Sequence, residues 1–153
     1  MQGDGIMLSD QDAKELLDML KQIKDLRFIE FPQIGKTQKI EVVGTPENVK
    51  FVFDVNRKGT LKVKKCTYQT RYQKSVILLR VDIGGQEHMN PDGKIIPCPH
   101  IHIYREGYDD SWAYPLDSKL DTDPSDLLQA LIDFLVYNHV VNRPPIYKKG
   151  DLL

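Results

Sequence analysis

Val76-Ile-Leu-Leu-Arg-Val-Asp-Ile83, closed by Gly84-Gly85, is a nearly continuous apolar run of strand length. Such a run, ended by glycines, is the pattern of a central strand buried on both faces. It sets the fold class, because the stretches before it share its texture. Lys39-Ile-Glu-Val-Val-Gly44 is a short strand broken at Gly44. Phe51, Phe53 and Val55 alternate with their neighbours, and Asn56-Arg-Lys-Gly59 is a turn signal. Leu61 and Val63 alternate with Lys62 and Lys64, which gives a strand with one wet face, and Thr67 to Gln73 either continues it or forms a loop.

Helical spacing appears only near the two ends. Ser9 is a good N-cap, with Asp12 three residues on, and Leu16, Leu17, Leu20 and Ile23 form one apolar stripe. Phe28 to Phe31, before Pro32, reads as a short extended piece. Asp123-Pro124 predicts a second N-cap, followed by the stripe Leu127, Leu128, Leu131, Phe134 and Leu135. Arg143-Pro-Pro145 cannot continue that helix. The expectation is a single α+β domain over residues 1–153: an antiparallel meander of about four to six strands, with an N-terminal and a C-terminal helix packed on it.

Composition supports a folded domain, with 41% hydrophobic and 28% charged residues in 153. No apolar run approaches the roughly 20 residues that span a bilayer. The polar start lacks a basic-then-apolar leader, so the expected location is the cytoplasm. Cys66 and Cys98 are then thiols or metal ligands rather than a disulfide. The net charge of −1 is unevenly spread. Arg57, Lys58, Lys62, Lys64, Lys65, Arg71, Lys74 and Arg80 form a run with no acid among them. Eight acids lie between Glu106 and Asp133 against Lys119 alone. Such asymmetry steers a charged partner, or marks two solvated faces that meet each other. The basic segment 57–80 is the candidate contact for nucleic acid.

Three of the four histidines fall in one segment, at His88, His100 and His102. On a strand His100 and His102 share a face, while Ile101 and Ile103 point the other way. Pro91-Asp-Gly93 is the kind of reversal that returns His88 to them. Zinc takes four tetrahedral ligands from His, Cys and carboxylate. The candidate ligands are therefore His88, His100 and His102, with Cys98, Cys66 or Asp92 as the fourth. Cys98 has the right parity. Positions 98 to 102 span about 13 Å of extended strand at about 3.3 Å per residue, so it joins only if Pro97 and Pro99 break the strand. A closed four-ligand site would tie the 84–99 loop to the sheet. An open one near Glu87, Tyr104 or Glu106 would permit hydrolysis. The structural role is the favoured one, and no catalytic residue is assigned.

No phosphate-cradling glycine loop or Gly-x-Ser-x-Gly is present. The loop from Tyr104 and Arg105 through Tyr108, Asp109 and Asp110 to Trp112 is rich in aromatics and carries an Arg, the composition of a protein-binding surface. The alternative is that Trp112 and Tyr114 cover the core.

Arg80-Val-Asp-Ile-Gly-Gly85, His88-Met-Asn-Pro-Asp-Gly93, Pro99-His-Ile-His-Ile-Tyr-Arg-Glu-Gly-Tyr108 and Trp112-Ala-Tyr-Pro115 together resemble a family of small uncharacterised proteins of Gram-positive phages and mobile elements. The likeness runs from Arg57 to Leu116. In size, histidine-based site and lack of enzyme motifs, the chain also resembles the zinc-binding type II-A anti-CRISPR proteins of streptococcal mobile elements. That resemblance implies a stoichiometric, non-enzymatic inhibitor in the host bacterial cell that binds Cas9 and blocks a step such as loading of target DNA. His88, His100 and His102 would be its zinc ligands. The acidic region would then compete for a nucleic-acid groove on the effector, or the basic strands would sit against guide RNA. The competing class is a metal- or histidine-dependent nuclease or toxin-like RNase, using Tyr68, Arg71, Tyr72 and Lys74 beside the histidines. A third is a metal-stapled accessory protein with another target.

Overall fold

Strand Val76–Ile83 lies third from one edge of an eight-stranded sheet. The computed structural model describes residues 7–59 and 64–148, so Leu61, Lys62 and Val63 of the expected wet-faced strand lie outside the described residues. In chain order the elements are helix α1 (Asp10–Asp18), β1 (Lys21–Ile23), β2 (Ile29–Phe31), β3 (Thr37–Gly44), β4 (Val49–Asn56), β5 (Cys66–Tyr72) and β6 (Val76–Ile83). There follow β7 (His88–Met89), β8 (Ile95–Ile96), β9 (His100–Ile103), β10 (Ala113–Pro115), a 3-10 turn (Leu116–Ser118), helix α2 (Leu127–Tyr137), β11 (Val140–Asn142) and β12 (Ile146–Lys148).

The main sheet runs β10-β9-β6-β5-β4-β3-β1-β11. Every neighbouring pair in it is antiparallel except β1 with β11, which is parallel. A parallel pair, β2 with β12, and the β7–β8 hairpin stand apart from it. The sheet is thus wider than the expected four to six strands, and mixed. Its unexpected strands, β1, β10 and β11, have only three residues each, too few to show a period of two.

Helix α1 starts where expected, with Ser9 Oγ accepting from Asp12 N at 3.0 Å. It stops at Asp18, five residues before the apolar stripe does. Leu20 is exposed and Ile23 belongs to β1. The reason is Lys21, which is fully buried with its ammonium donating to Leu17 O (2.8 Å), Met19 O (3.0 Å) and Asn138 O (2.9 Å). The lysine takes carbonyls that end both helices, satisfying acceptors that a helix leaves open.

Helix α2 begins at Leu127 rather than after Asp123. Asp123 spends its carboxylate on Ser125 N and Oγ, and Asp126 caps the helix by accepting from Gln129 N at 3.0 Å. Its stripe is as predicted: Leu127, Leu131, Phe134 and Leu135 are buried and Leu128 partly so. Phe134 packs against Phe53 and Tyr68, with ring centroids 5.5 and 5.9 Å away. Tyr68 donates its hydroxyl to Leu127 O at 2.6 Å. The covered face of the sheet therefore reads across strands as Ile40–Phe53–Thr70–Leu79 and Val55–Tyr68–Val81–Ile101.

The opposite face carries the alternate residues. Register aligns Lys39–Asp54–Gln69–Arg80–His102 in one row and Thr37–Asn56–Thr67–Asp82–His100 in the next. No helix among the described residues is long and apolar enough to cross a membrane.

Candidate metal centre

The two polar rows end on His100 and His102, and there the β7–β8 hairpin folds over the sheet. Its turn closes with Gly93 N donating to Asn90 O at 2.8 Å. Buried Asn90 then bonds both ways to Ala113 of β10, at 2.9 and 2.8 Å, which fixes the hairpin against the sheet edge. Pro91-Asp-Gly93 thus returns His88, as its turn chemistry predicted. The His88 ring stands 4.6 Å from that of His102 and 6.0 Å from that of His100, centroid to centroid.

Gly84, just before the hairpin, has φ +79°, and a Cβ there would lie 1.8 Å from Lys64 O. Only glycine fits that exit from β6.

His100 and His102 are 3% and 1% exposed, and their Nε2 atoms each lie 3.2 Å from Oδ2 of Asp82. The other nitrogens face main-chain oxygens. His102 Nδ1 donates to Asp110 O at 2.8 Å, and His100 Nδ1 to Pro97 O at 3.3 Å. With Nδ1–H held by those carbonyls, each ring turns its Nε2 toward the same carboxylate oxygen. A ring whose Nδ1–H is held by a carbonyl, leaving Nε2 to the ion, is the usual arrangement of a metal-ligating histidine. Bonds of about 2.0–2.1 Å to a tetrahedral ion place ligand atoms roughly 3.3 Å apart. The nitrogen-to-oxygen distances of 3.2 Å match that edge, and the three donor atoms all lie within 4.8 Å of one another.

Asp82 is the residue that sequence reasoning missed. It sits opposite His100 in register, with Thr67 Oγ1 donating to its other oxygen at 3.2 Å. Burial pushes its carboxyl up, but bonds to His100 and His102 and the charge of Arg80 outweigh that and hold it well below the usual carboxylate range. The signal was present: Arg80 and Asp82 are charges at alternate positions of an otherwise apolar strand, a costly placement unless paired.

Arg80 is a rival cation at this place. Its Nη2 is 2.9 Å from His102 Nε2, its Nε 3.3 Å from Asp82, and its Nη1 2.8 Å from Asp110. The guanidinium and a metal ion compete for the same lone pair. The Arg80–Asp110 pair also joins the basic run to the acidic run.

The other named residues divide clearly. His88 donates Nε2–H to Ser111 O at 2.7 Å and packs against the cluster, but its donor atoms fall outside the group of three. Strand β9 does break after Pro99, yet Cys98 Sγ stands apart from the donor group. It accepts from Gly85 N at 3.2 Å and donates to Asp82 O at 3.3 Å. Cys66 lies in the core, its thiol pushed up to about 11 by burial, which disfavours the thiolate a metal needs. Asp92 caps its own turn through Lys94 N.

Of the expected partner surface, Tyr104 is buried, its hydroxyl exchanging bonds with Leu8 N and O. Arg105 lies 4.3 Å over the Trp112 ring and Tyr108 meets that ring edge-on at 5.7 Å. Asp109 accepts Arg105 N through its carbonyl at 2.9 Å, and Asp110 is partly buried on Arg80.

The fold and the cluster define an α+β protein with a two-histidine, one-carboxylate donor group at the covered end of its sheet. The chain belongs to DUF6978, a family of unknown function, whose model matches residues 8–140. No curated protein and no solved structure matches it.

Proposed function

We propose that this protein binds one transition-metal ion between Asp82, His100 and His102, zinc being the choice that nitrogen and carboxylate donors favour. The observation that carries this is the convergence of two carbonyl-oriented Nε2 atoms on one carboxylate oxygen at 3.2 Å. The ion's role is structural: it ties β9 to β6 beneath the β7–β8 hairpin, and the burial of both histidines leaves it little access to a substrate. On this reading the protein acts by binding a partner rather than by catalysis, as an inhibitor of the Cas9 type would. Support for that last step is the likeness to the zinc-binding type II-A anti-CRISPR proteins in size, histidine-based site and lack of enzyme motifs.

Metal analysis of purified protein is expected to find about one zinc per chain, lost in Asp82→Ala and His100→Ala. Chelation should lower Tm by roughly 4–8 °C, as about 2 kcal/mol does for a domain of this size. Metal-free protein, or a chelator that leaves the melt unmoved, would defeat the proposal. For the inhibitor role, the protein should co-elute with purified Cas9 at fixed stoichiometry and suppress its DNA cleavage.

One observation favours a second reading, metal-dependent hydrolysis of nucleic acid: Arg80, beside the donor group, also lines the polar cleft of the sheet. Cleavage of RNA or DNA by the wild type, abolished in a folded His100→Ala, would establish it.

A further inference from the structure

The polar face of the sheet holds an open cleft of about 760 Å³ beside the metal centre. Its cations are Lys39, Lys58, Lys65, Arg71 and Arg80, against two carboxylates, Asp54 and Asp82. Both acids are already committed. Asp54 accepts from Arg71 at 2.6 and 3.0 Å and from Gln69 at 2.9 Å, and Asp82 is held by the histidines and Arg80. Lys39, Lys58 and Lys65 have no ion pair among the described residues. Three uncompensated ammonium groups therefore edge one concave surface.

Charges of one sign in a cleft with partly apolar walls concentrate an oppositely charged ligand there. Several features select among anions. The lysines come from β3, from the chain after β4 and from the approach to β5, so they are spread along the cleft rather than gathered around a point. A single phosphate would use one or two of them; a chain of phosphates would use all three. The lining also offers amide and hydroxyl groups from Gln69, Thr67 and Asn56, suited to phosphate and sugar oxygens. Among the described residues that line it there is no aromatic ring on which a base would stack.

We propose that this cleft binds the sugar–phosphate backbone of a short single-stranded nucleic acid, without base preference. The contact does not require the metal ion, so it stands or falls apart from the function proposed above.

The test is fluorescence anisotropy of labelled oligo(dT) and oligo(U), with the full chain at about 50 mM salt, with and without chelator. Both strands are expected to bind saturably and alike. Three neutralised phosphates give a log–log salt slope of about −2, a roughly 20-fold loss of affinity between about 50 and 200 mM. The triple variant Lys39→Ala, Lys58→Ala, Lys65→Ala should bind at least about tenfold more weakly with an unchanged melt. His100→Ala, if folded, should bind as the wild type does; if it is unfolded, the chelator arm answers the same question. Absent binding, an unaffected triple variant, tighter binding of a duplex, or equal displacement by polyglutamate would each overturn the proposal.

Discussion

The two faces of one sheet are built from alternate residues of the same strands, yet they are held together in different ways. On the covered face Phe53, Tyr68, Leu79 and Ile101 are fully buried, the first two against Phe134 of α2, and stability there comes from apolar area and close packing. On the other face Asp54, Gln69, Arg80, Asp82 and the two histidines bond to one another within and between the two cross-strand rows. The difference teaches that strand period places the groups, but only their partners decide what a face does. These groups are buried or half-buried, so removing one partner leaves the other's charge or polar atom uncompensated.

The comparison can be broken first on the covered face. Phe134→Ala removes the ring shared by Phe53 and Tyr68 and is expected to cost about 3–5 kcal/mol, read by urea denaturation. A loss under about 1 kcal/mol would mean that α2 is not the keystone of the apolar layer.

A buried charge on the covered side gives the next effect. Lys21→Met leaves Leu17 O, Met19 O and Asn138 O without their donor and should cost about 2–4 kcal/mol. Burial brings the ammonium down to about 8, with Asp18 pulling it back up. Between that value and the ordinary 10.5 the unfolded chain holds a proton there that the folded protein has released. The group's contribution to stability therefore rises with pH across this window. Wild type should gain on the variant from about pH 8 upward; a gap that narrows there would show that Lys21 does not sit as described.

The smallest change sharpens the polar face. Arg80→Met removes a cation that competes for the His102 lone pair, and zinc titration should find affinity raised about tenfold, near 1.4 kcal/mol. Weaker zinc binding in that variant would make Arg80 a support of the site rather than its rival.

Much of this was legible in the chain itself. Ser9 capped its helix, the α2 stripe was buried, and alternation put His100 and His102 on one face with Ile101 in the core. What escaped was of two kinds. Strands β1, β10 and β11 are too short for periodicity, and they form only because neighbours present a ready edge. Asp82 and Tyr104 were misjudged because their roles depend on distant residues: Asp82 on the register of β6 with β9, and Tyr104 on the backbone of Leu8. Cys98 shared the histidines' parity, but the chain leaves the strand before reaching it, and its sulfur serves the turn at Gly85 instead.

The two parallel pairs, β1 with β11 and β2 with β12, join the start of the chain to its end. Ile23 and Asn142 exchange hydrogen bonds across 119 positions. At roughly 5–20 residues per second of synthesis, the newborn segment waits on the order of ten seconds for a mate that the ribosome has not yet made. Until then that side of β1 is an open border, available to any stray strand.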